Sequence, residues 1–201
     1  MERKSQFLEA ISSFNEMHIF SGHWHTNANI IKSEINLYEH IIGAASGTWW
    51  SAAVNKCGAP NGYAVYEISG NRMKNWFYKS VNFDKEYQIR LMDPNSFGDT
   101  EGYVIANVWN ADENWKVELY EDGINQGQME RYTDYAPEVF ALNKSRNYSE
   151  STNWYRKTDH LFRKKPLSKD AVLSIKATDS FGNVYQQTIP IKSIEALKTY
   201  R

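Results

Sequence analysis

Two histidines that lie one residue apart near the N-terminus, His23 and His25, are the residues whose type and spacing point most directly to chemistry. Neutral imidazole is a common ligand for zinc, iron and manganese. In an extended or turning segment, residues two apart can point the same way and approach one metal ion. A closed or catalytic metal site uses three or more protein groups. The pair is therefore either part of a larger metal site or two polar residues in a surface turn.

The histidine pair follows a short, mostly apolar run, residues 17–21 (MHIFS), which ends at Gly22. Such a run, closed by a glycine, predicts a buried strand that leads into a tight loop. Apolar residues at positions 7, 8, 11 and 14 predict an amphipathic helix before it. A helix, a strand and then polar residues at the strand's carboxyl end are typical of an α/β layer, where sites gather at this end of the sheet.

Most of the remaining chain is predicted to form strands. A first group forms a meander up to about residue 82, and a second group forms a small antiparallel, Ig-like β-sandwich with turns at 121–123 and 178–183. Residues 132–167 show few clear periods, which indicates a long connection between sheets. The predicted strands are 35–42, 63–68, 76–78, 87–92, 102–109, 115–120, 171–177 and 184–191. The fold class is therefore mainly β with a short α/β N-terminal segment, and the predicted domains are residues 1–82 and 83–201.

A loop rich in turn-forming residues, 56–62 (KCGAPNG), lies between the predicted strands and is flanked by large aromatic residues. Stacked rings with a few polar groups make many ligand pockets, so Trp49, Trp50, Asn61 and Tyr63 are a candidate substrate pocket. Adjacent tryptophans at a sheet corner also close the end of a core. The sequence leaves both interpretations open.

The other histidines favour structural roles. His18 lies on the apolar strand before the motif, and a lone histidine there is most often a hydrogen-bonded core residue. His40 is expected to be packed or on the surface rather than in a site. Asp159 and His160 are adjacent in a predicted strand, so they face opposite sides and do not form a working pair.

Composition excludes several classes of protein. Lys+Arg 23 against Asp+Glu 24 leaves a net charge of −1, so the chain has no overall basic field for a nucleic acid backbone. No apolar run is long enough to span a membrane, and the N-terminal segment lacks the apolar run and cleavage site of a signal peptide. The single Cys57 excludes an internal disulfide but leaves the cellular compartment open.

The strand and the motif after it, 21–25 (SGHWH), resemble the last conserved block of calcineurin-like metallophosphoesterases, in which G-H-x-H supplies one ligand to each of two metal ions. Further segments resemble a bacterial subgroup of these enzymes, both just after the motif and in a C-terminal β-sandwich. These segments are 45–50 (ASGTWW), 58–63 (GAPNGY), 76–79 (WFYK), 115–123 (WKVELYEDG), 159–162 (DHLF) and 177–183 (ATDSFGN). The resemblance covers nearly the whole chain.

The resemblance implies a two-metal site that hydrolyses a phosphate ester, with a metal-bridging hydroxide as the nucleophile. Only His23 and His25 have counterparts among the family's ligands, because no D-x-H precedes them, no G-N-H occurs, and Gly98-Asp99 lies in the wrong order. The resemblance therefore implies metal-ligand roles for these two histidines, divalent metal ions of unknown identity as the cofactor, and no catalytic residue in this chain.

The resulting interpretation is the C-terminal part of a metal-dependent phosphoesterase, a hydrolase that is inactive as this chain alone. The sequence is then a shortened gene product, a piece cut from a larger protein or one half of a split enzyme. Its expected partners are a phosphorylated substrate, an N-terminal catalytic half or a second copy of itself, with no nucleic acid and no membrane span.

Three points stay open at the level of sequence. The basic residues 156–157 and 163–165 are either solvated loop charge or an attraction for the phosphorylated substrate. The alternative function is a non-catalytic β-sandwich that binds a polymer, a glycan or a protein. Localisation is unknown, and export of full-length relatives to the periplasm or the cell surface is compatible with the resemblance.

Overall fold

The computed structural model describes residues 2–48, 52–146 and 154–188. Strands make up 44% of the described residues and helices 11%, which confirms a mainly β fold. The elements are α1 Glu2–Ile11, β1 Met17–Ser21, β2 Ala28–Lys32, β3 Leu37–Ile41, β4 Gly62–Ser69, β5 Arg72–Ser80, β6 Arg90–Met92, β7 Val104–Asn107, β8 Lys116–Glu121, β9 Ile124–Gln128, β10 Glu130–Tyr135, α2 Pro137–Ser145, β11 Lys157–Lys164, β12 Leu173–Thr178 and β13 Val184–Gln187. Among the described residues, no helix has the length and apolar character needed to cross a membrane.

The N-terminal sheet has the strand order β1-β3-β2, with β1 parallel to β3 and β2 antiparallel to it. The predicted strand 17–21 is confirmed with the same bounds. Between the two parallel strands, the chain passes through the histidine motif, β2 and a short 3-10 turn, Ser33–Ile35. Within the described residues, β1 pairs with β3 alone, so its other edge has no strand partner.

Edge-to-face contacts between aromatic rings join this sheet to the hairpin formed by β4 and β5. His40 at the centre of the sheet lies 5.1 Å from Tyr66 of β4 and 5.1 Å from Trp76 of β5, both measured between ring centroids. Trp76 in turn contacts Phe181 of the turn before β13 at 4.7 Å. Aromatic contacts of this kind add specific geometry to the burial of apolar area. The N-terminal sheet is thereby held against the rest of the molecule.

Two four-stranded sheets, β10-β11-β7-β6 and β13-β12-β8-β9, form the predicted β-sandwich. Along β12, Leu173, Ile175 and Ala177 are buried and alternate with partly exposed residues, as expected for a strand with one face in the core. The core between the sheets contains Ile89, Leu91, Val104, Ala106, Val108, Trp115, Val117, Leu119, Phe162, Leu173, Ile175 and Ala177. The turns predicted at 121–123 and 178–183 are confirmed at the ends of β8 and β12.

The prediction of a long connection over residues 132–167 is wrong. This range contains part of β10, the helix α2 and the strand β11, which pairs with β10 on one side and β7 on the other. Phe162 faces the sandwich core while Leu161 packs on the opposite side with Val139 of α2. A strand buried on both faces has no alternating pattern, so its sequence gives no period-two signal.

The predicted boundary between residues 82 and 83 falls in the connection from β5 to β6. The segments on its two sides share buried hydrogen bonds, since the Asn27 side chain donates to the Trp109 carbonyl at 2.6 Å and the Asn29 side chain to the Asn110 carbonyl at 2.9 Å. Whether the two predicted domains are separate units stays a prediction.

Candidate functional site

The histidine motif occupies a tight turn directly after β1. His23 and His25 both have left-handed backbone conformations, with φ of 77° and 54°. Left-handed φ is uncommon for residues with a Cβ atom and costs free energy, and such strain is concentrated at functional sites. The turn therefore holds the two imidazoles in positions that a relaxed loop does not select.

The ring of His25 is oriented by a hydrogen bond between its Nδ1 atom and the carbonyl oxygen of Gly47. A carbonyl only accepts, so Nδ1 donates and the lone pair of the neutral ring lies on Nε2. Metal-ligating histidines commonly show this arrangement, with the other ring nitrogen donating to a carbonyl. With Nδ1 donating to this carbonyl, His25 would bind a metal ion through Nε2.

The ring of His23 is exposed and meets Trp24 edge to face, with the ring centroids 5.7 Å apart. Trp24 is 52% exposed, and the guanidinium of Arg156 lies over its ring at 4.0 Å from the centroid. A guanidinium at this distance makes a cation-π contact. A residue from just before β11 is therefore placed against the motif.

Backbone hydrogen bonds connect the same three segments. The Lys56 amide donates to the His25 carbonyl at 2.9 Å, and the Arg156 amide donates to the Lys56 carbonyl at 2.9 Å. Partial burial lowers the pKa of Lys56, and the positive charge of Arg156 lowers it further. Two cations thus lie close together beside the histidine turn, where they suit an anionic group. The sequence leaves Arg156 open between loop charge and an attraction for the substrate and does not single out Lys56, because nothing local links either residue to His25.

A cavity of about 410 Å³ lies beside the motif and is lined by Trp24, Asn27, Cys57, Arg156 and Asp159, among others. Cys57 accepts a hydrogen bond from the Asn27 amide at 3.1 Å, and burial raises the pKa of its thiol to about 11. The thiolate is the nucleophilic form of cysteine. Cys57 is therefore a packed structural residue near neutral pH.

The two histidines do not form a complete metal site by themselves. Among the described residues, no group of three or more His, Cys, Asp and Glu side chains is arranged to hold a metal ion. A two-metal site needs more ligands than His23 and His25 provide. The metal role of these residues stays a prediction that depends on ligands from elsewhere.

The candidate substrate pocket also stays a prediction. Trp49 and Trp50 lie outside the described residues. Asn61 is buried, with its side-chain amide donating to the Ala52 carbonyl at 3.2 Å, whereas Tyr63 is 51% exposed on β4. The loop 56–62 is a packed corner, because Cys57 and Ala59 within it and Asn55 just before it are fully buried.

His18 and His40 form a hydrogen-bonded chain inside the N-terminal sheet. His40 Nδ1 lies 2.8 Å from the Asn29 side-chain oxygen, and its Nε2 lies 2.9 Å from His18 Nδ1. These contacts confirm the structural role predicted for His18 and show His40 to be packed. Asp159 pairs with Arg131 at 3.1 Å while His160 is buried in the sandwich, which confirms that Asp159 and His160 are not a working pair.

Two buried histidines predict that acid destabilises the protein. Burial lowers the pKa of His40 to about 4, assisted by the charge of His18, and burial lowers the pKa of His160 to about 4. In the unfolded chain both have a pKa of about 6.5, so between pH 6.5 and pH 4 the unfolded state binds protons that the folded state does not. The free energy of unfolding is therefore highest above pH 6.5 and falls as the pH drops towards 4.

Urea unfolding at pH 7.5 and pH 4.5 measures this loss. His40→Gln cannot titrate, so its loss between the two pH values is expected to be about 2 kcal/mol smaller than that of the unchanged chain. His23→Gln replaces an exposed histidine, and its free energy of unfolding should fall between the two pH values by as much as that of the unchanged chain. Equal losses in His40→Gln and the unchanged chain would refute the assignment.

The family model described as the C-terminal of calcineurin-like phosphoesterase matches residues 39–185. The chain belongs to this family. The match confirms the resemblance found in the sequence and runs from β3 of the N-terminal sheet to β13 of the sandwich. His23 and His25 precede the matched range. No curated protein and no solved structure matches the chain.

The matched residues, from β3 to β13, are thus the C-terminal region of a calcineurin-like phosphoesterase. Lys56 and Arg156, the two cations beside the histidine turn, both lie within the matched residues. The family region and the turn before it are therefore joined by hydrogen bonds and by the contact between Arg156 and Trp24.

Proposed function

We propose that this chain is the C-terminal part of a metal-dependent phosphoesterase, that His23 and His25 are its contribution to the metal ligands, and that the chain alone does not hydrolyse phosphate esters. The observation that carries the proposal is the strained turn after β1, in which the Gly47 carbonyl sets the tautomer of His25. Family membership supports the reaction class.

The position of the turn supports a contribution to a larger site. The turn lies at the carboxyl end of β1, and the outer edge of β1 has no strand partner among the described residues. In parallel layers, ligands bind outside the carboxyl ends of the strands. Strands from an N-terminal catalytic half that pair with β1 would bring further ligands to the side of His23 and His25.

The two cations beside the turn support an anionic substrate. Lys56 and Arg156 lie on the side of the motif where the sandwich meets the N-terminal sheet. A positive potential at a cleft attracts phosphorylated molecules and raises their rate of association. We assign these residues to the phosphate of the substrate.

Hydrolysis of p-nitrophenyl phosphate and bis(p-nitrophenyl) phosphate with added Mn²⁺ or Zn²⁺ tests the proposal. The chain alone is expected to show no metal-dependent turnover. Mixing it with an N-terminal half that carries the family's remaining ligands is expected to produce turnover, which His23→Ala and His25→Ala abolish. Glu34→Ala, at an exposed position of the neighbouring 3-10 turn, serves as the control.

Two results would contradict the proposal. Metal-dependent turnover by the chain alone that is lost in His23→Ala would show that it is complete as an enzyme. If both histidine variants still gave turnover in the mixture, His23 and His25 would not be metal ligands.

A non-catalytic binding role for the sandwich is the second candidate. A large aromatic cavity on the outer face of one sheet, away from the histidine motif, favours it. The two functions use different surfaces and can coexist in one protein.

A further inference from the structure

The outer face of the sheet β10-β11-β7-β6 is only partly covered by the helix α2. Leu161 of β11 is buried beneath Val139 and Leu142 of the helix. Two residues further along the same face, Arg163 is left partly exposed. A cavity of about 900 Å³ opens at this point, between the sheet, α2 and the loop before β7. Cavities of this size lie in the upper range of those that hold small ligands.

Five aromatic side chains contribute to the walls of this cavity. Its aromatic lining consists of Phe97, Tyr103, Tyr132, Tyr135 and Phe140. Phe140 is 46% exposed and Tyr135 is 37% exposed, so apolar ring surface faces solvent here. Exposed rings that are grouped in a concave site are unusual on a monomer and mark a binding surface.

Arg163 lies between two of these rings and is neutralised by a carboxylate. Its guanidinium is 4.9 Å from the ring centroid of Tyr103 and 4.9 Å from that of Tyr132. Two parallel hydrogen bonds, 3.0 and 3.1 Å long, join it to Glu130. A bidentate pair fixes the guanidinium in place and removes its net charge from the site. The centre of the cavity therefore carries a guanidinium that is paired with a carboxylate.

The remaining charges of the lining do not form an anion site. Asp134 is paired with Lys157 at 3.5 Å, and Asp99 and Glu101 lie on the loop opposite Lys144. Carboxylates that face the cavity repel phosphate, sulfate and polyanions. They can accept hydrogen bonds from hydroxyl groups.

The tyrosine hydroxyls supply the complementary donors. Burial raises the pKa of Tyr132 above its ordinary value, so its hydroxyl stays neutral at physiological pH. Within the described residues, the side chains of Tyr103 and Tyr132 make ring contacts with cations and no hydrogen bonds. Their hydroxyl groups are thus available to a ligand. A purely apolar ligand would leave these hydroxyls and the carboxylates without partners, at a cost in affinity.

We propose that this cavity binds a neutral oligosaccharide. Sugar rings have apolar C–H faces that pack on the tyrosine and phenylalanine rings, and hydroxyl edges that match the carboxylates and the tyrosine hydroxyls. The proposal does not depend on phosphoesterase activity, because the cavity uses no residue of the histidine turn.

Affinity electrophoresis of the full chain in native gels tests the proposal. The neutral gels contain galactomannan, xyloglucan, mixed-linkage β-glucan, laminarin or yeast mannan, and the anionic gels contain polygalacturonate or chondroitin sulfate. We expect retardation in at least one neutral gel and none in the anionic gels. Tyr132→Phe removes one hydroxyl and Tyr103→Ala removes one ring face, and each is expected to weaken binding by about tenfold.

Phe14→Ala removes an exposed aromatic ring just after α1 that does not line the cavity, and it should bind as the unchanged chain does. Thermal unfolding of each variant shows whether it is folded, and Tyr132→Phe keeps the ring that packs on Arg163. No retardation in any neutral gel would overturn the proposal, as would retardation that Tyr132→Phe and Tyr103→Ala retain in full. Retardation in the anionic gels alone would assign the cavity to anions instead.

Discussion

Replacing Arg90 with methionine is expected to lower the free energy of unfolding by about 3–5 kcal/mol at pH 7. Arg90 and Glu138 form an ion pair 3.2 Å long, and their side chains are only 4% and 0% exposed. The same Arg90 nitrogen donates to the Gly58 carbonyl at 2.6 Å. Without the arginine, the buried Glu138 carboxylate loses the cation that it is paired with, and the Gly58 carbonyl loses its hydrogen-bond donor.

The loss depends on pH through Glu138. Burial raises the pKa of this carboxyl group, although the charge of Arg90 lowers it in part. Removing Arg90 raises the pKa further, so the group binds a proton in the folded state at a higher pH than in the unfolded chain. The destabilisation is therefore largest above the raised pKa and becomes smaller as the pH falls.

Urea unfolding at pH 7 and pH 5 measures both effects. The double variant Arg90→Met with Glu138→Leu is expected to recover much of the lost stability, because it removes the charge that was left buried. Lys157→Met breaks an ion pair with Asp134 in which both side chains are more than half exposed, and it should cost less than about 1 kcal/mol. Similar costs for Arg90→Met and Lys157→Met would contradict the prediction.

Gly58→Ala is expected to destabilise the protein by about 3 kcal/mol or more, since it combines backbone strain with a collision. Gly58 has a φ of +87°, and a Cβ atom there would lie 2.3 Å from the Asn107 side-chain nitrogen and 2.6 Å from a Glu138 carboxylate oxygen. Both neighbours are buried and hydrogen-bonded to each other at 3.0 Å. Neither can move without breaking the network that holds the loop.

Gly123→Ala separates the two contributions, because Gly123 has a φ of +82° and a Cβ atom there would meet nothing within 4 Å. Its cost is expected to be the backbone strain alone, about 1–2 kcal/mol. Equal free energies of unfolding for the two variants would show that Asn107 and Glu138 adapt to a side chain at Gly58.

Arg90→Met and Gly58→Ala both act on the loop around Cys57, which is hydrogen-bonded to the histidine turn. The Asn107 side chain donates to the Cys57 carbonyl at 3.1 Å, and the Lys56 amide, one residue earlier, donates to the His25 carbonyl. A shift of this loop therefore moves the backbone of His25. We expect the two variants to impair any activity that depends on His25 at temperatures at which they remain folded.

Local patterns in the sequence determined much of the fold. The apolar run 17–21 and Gly22 predicted β1 and the turn after it, and alternation predicted the strands β8 and β12. These patterns succeed because one face of each strand, or the end of a strand, has a local chemical signature. The family was also identified from short segments, and the family match confirms it.

Only the tertiary structure decided how distant segments meet. The strand β11 is buried on both faces and gives no period-two signal in the sequence. Pro137 falls in the range predicted to be a long connection, yet it lies in the first turn of α2. The contact of Arg156 with Trp24, the burial of Asn61 and the cavity around Arg163 join residues that are far apart in the chain. Such contacts depend on packing between sheets, which leaves no periodic trace in the sequence of either partner.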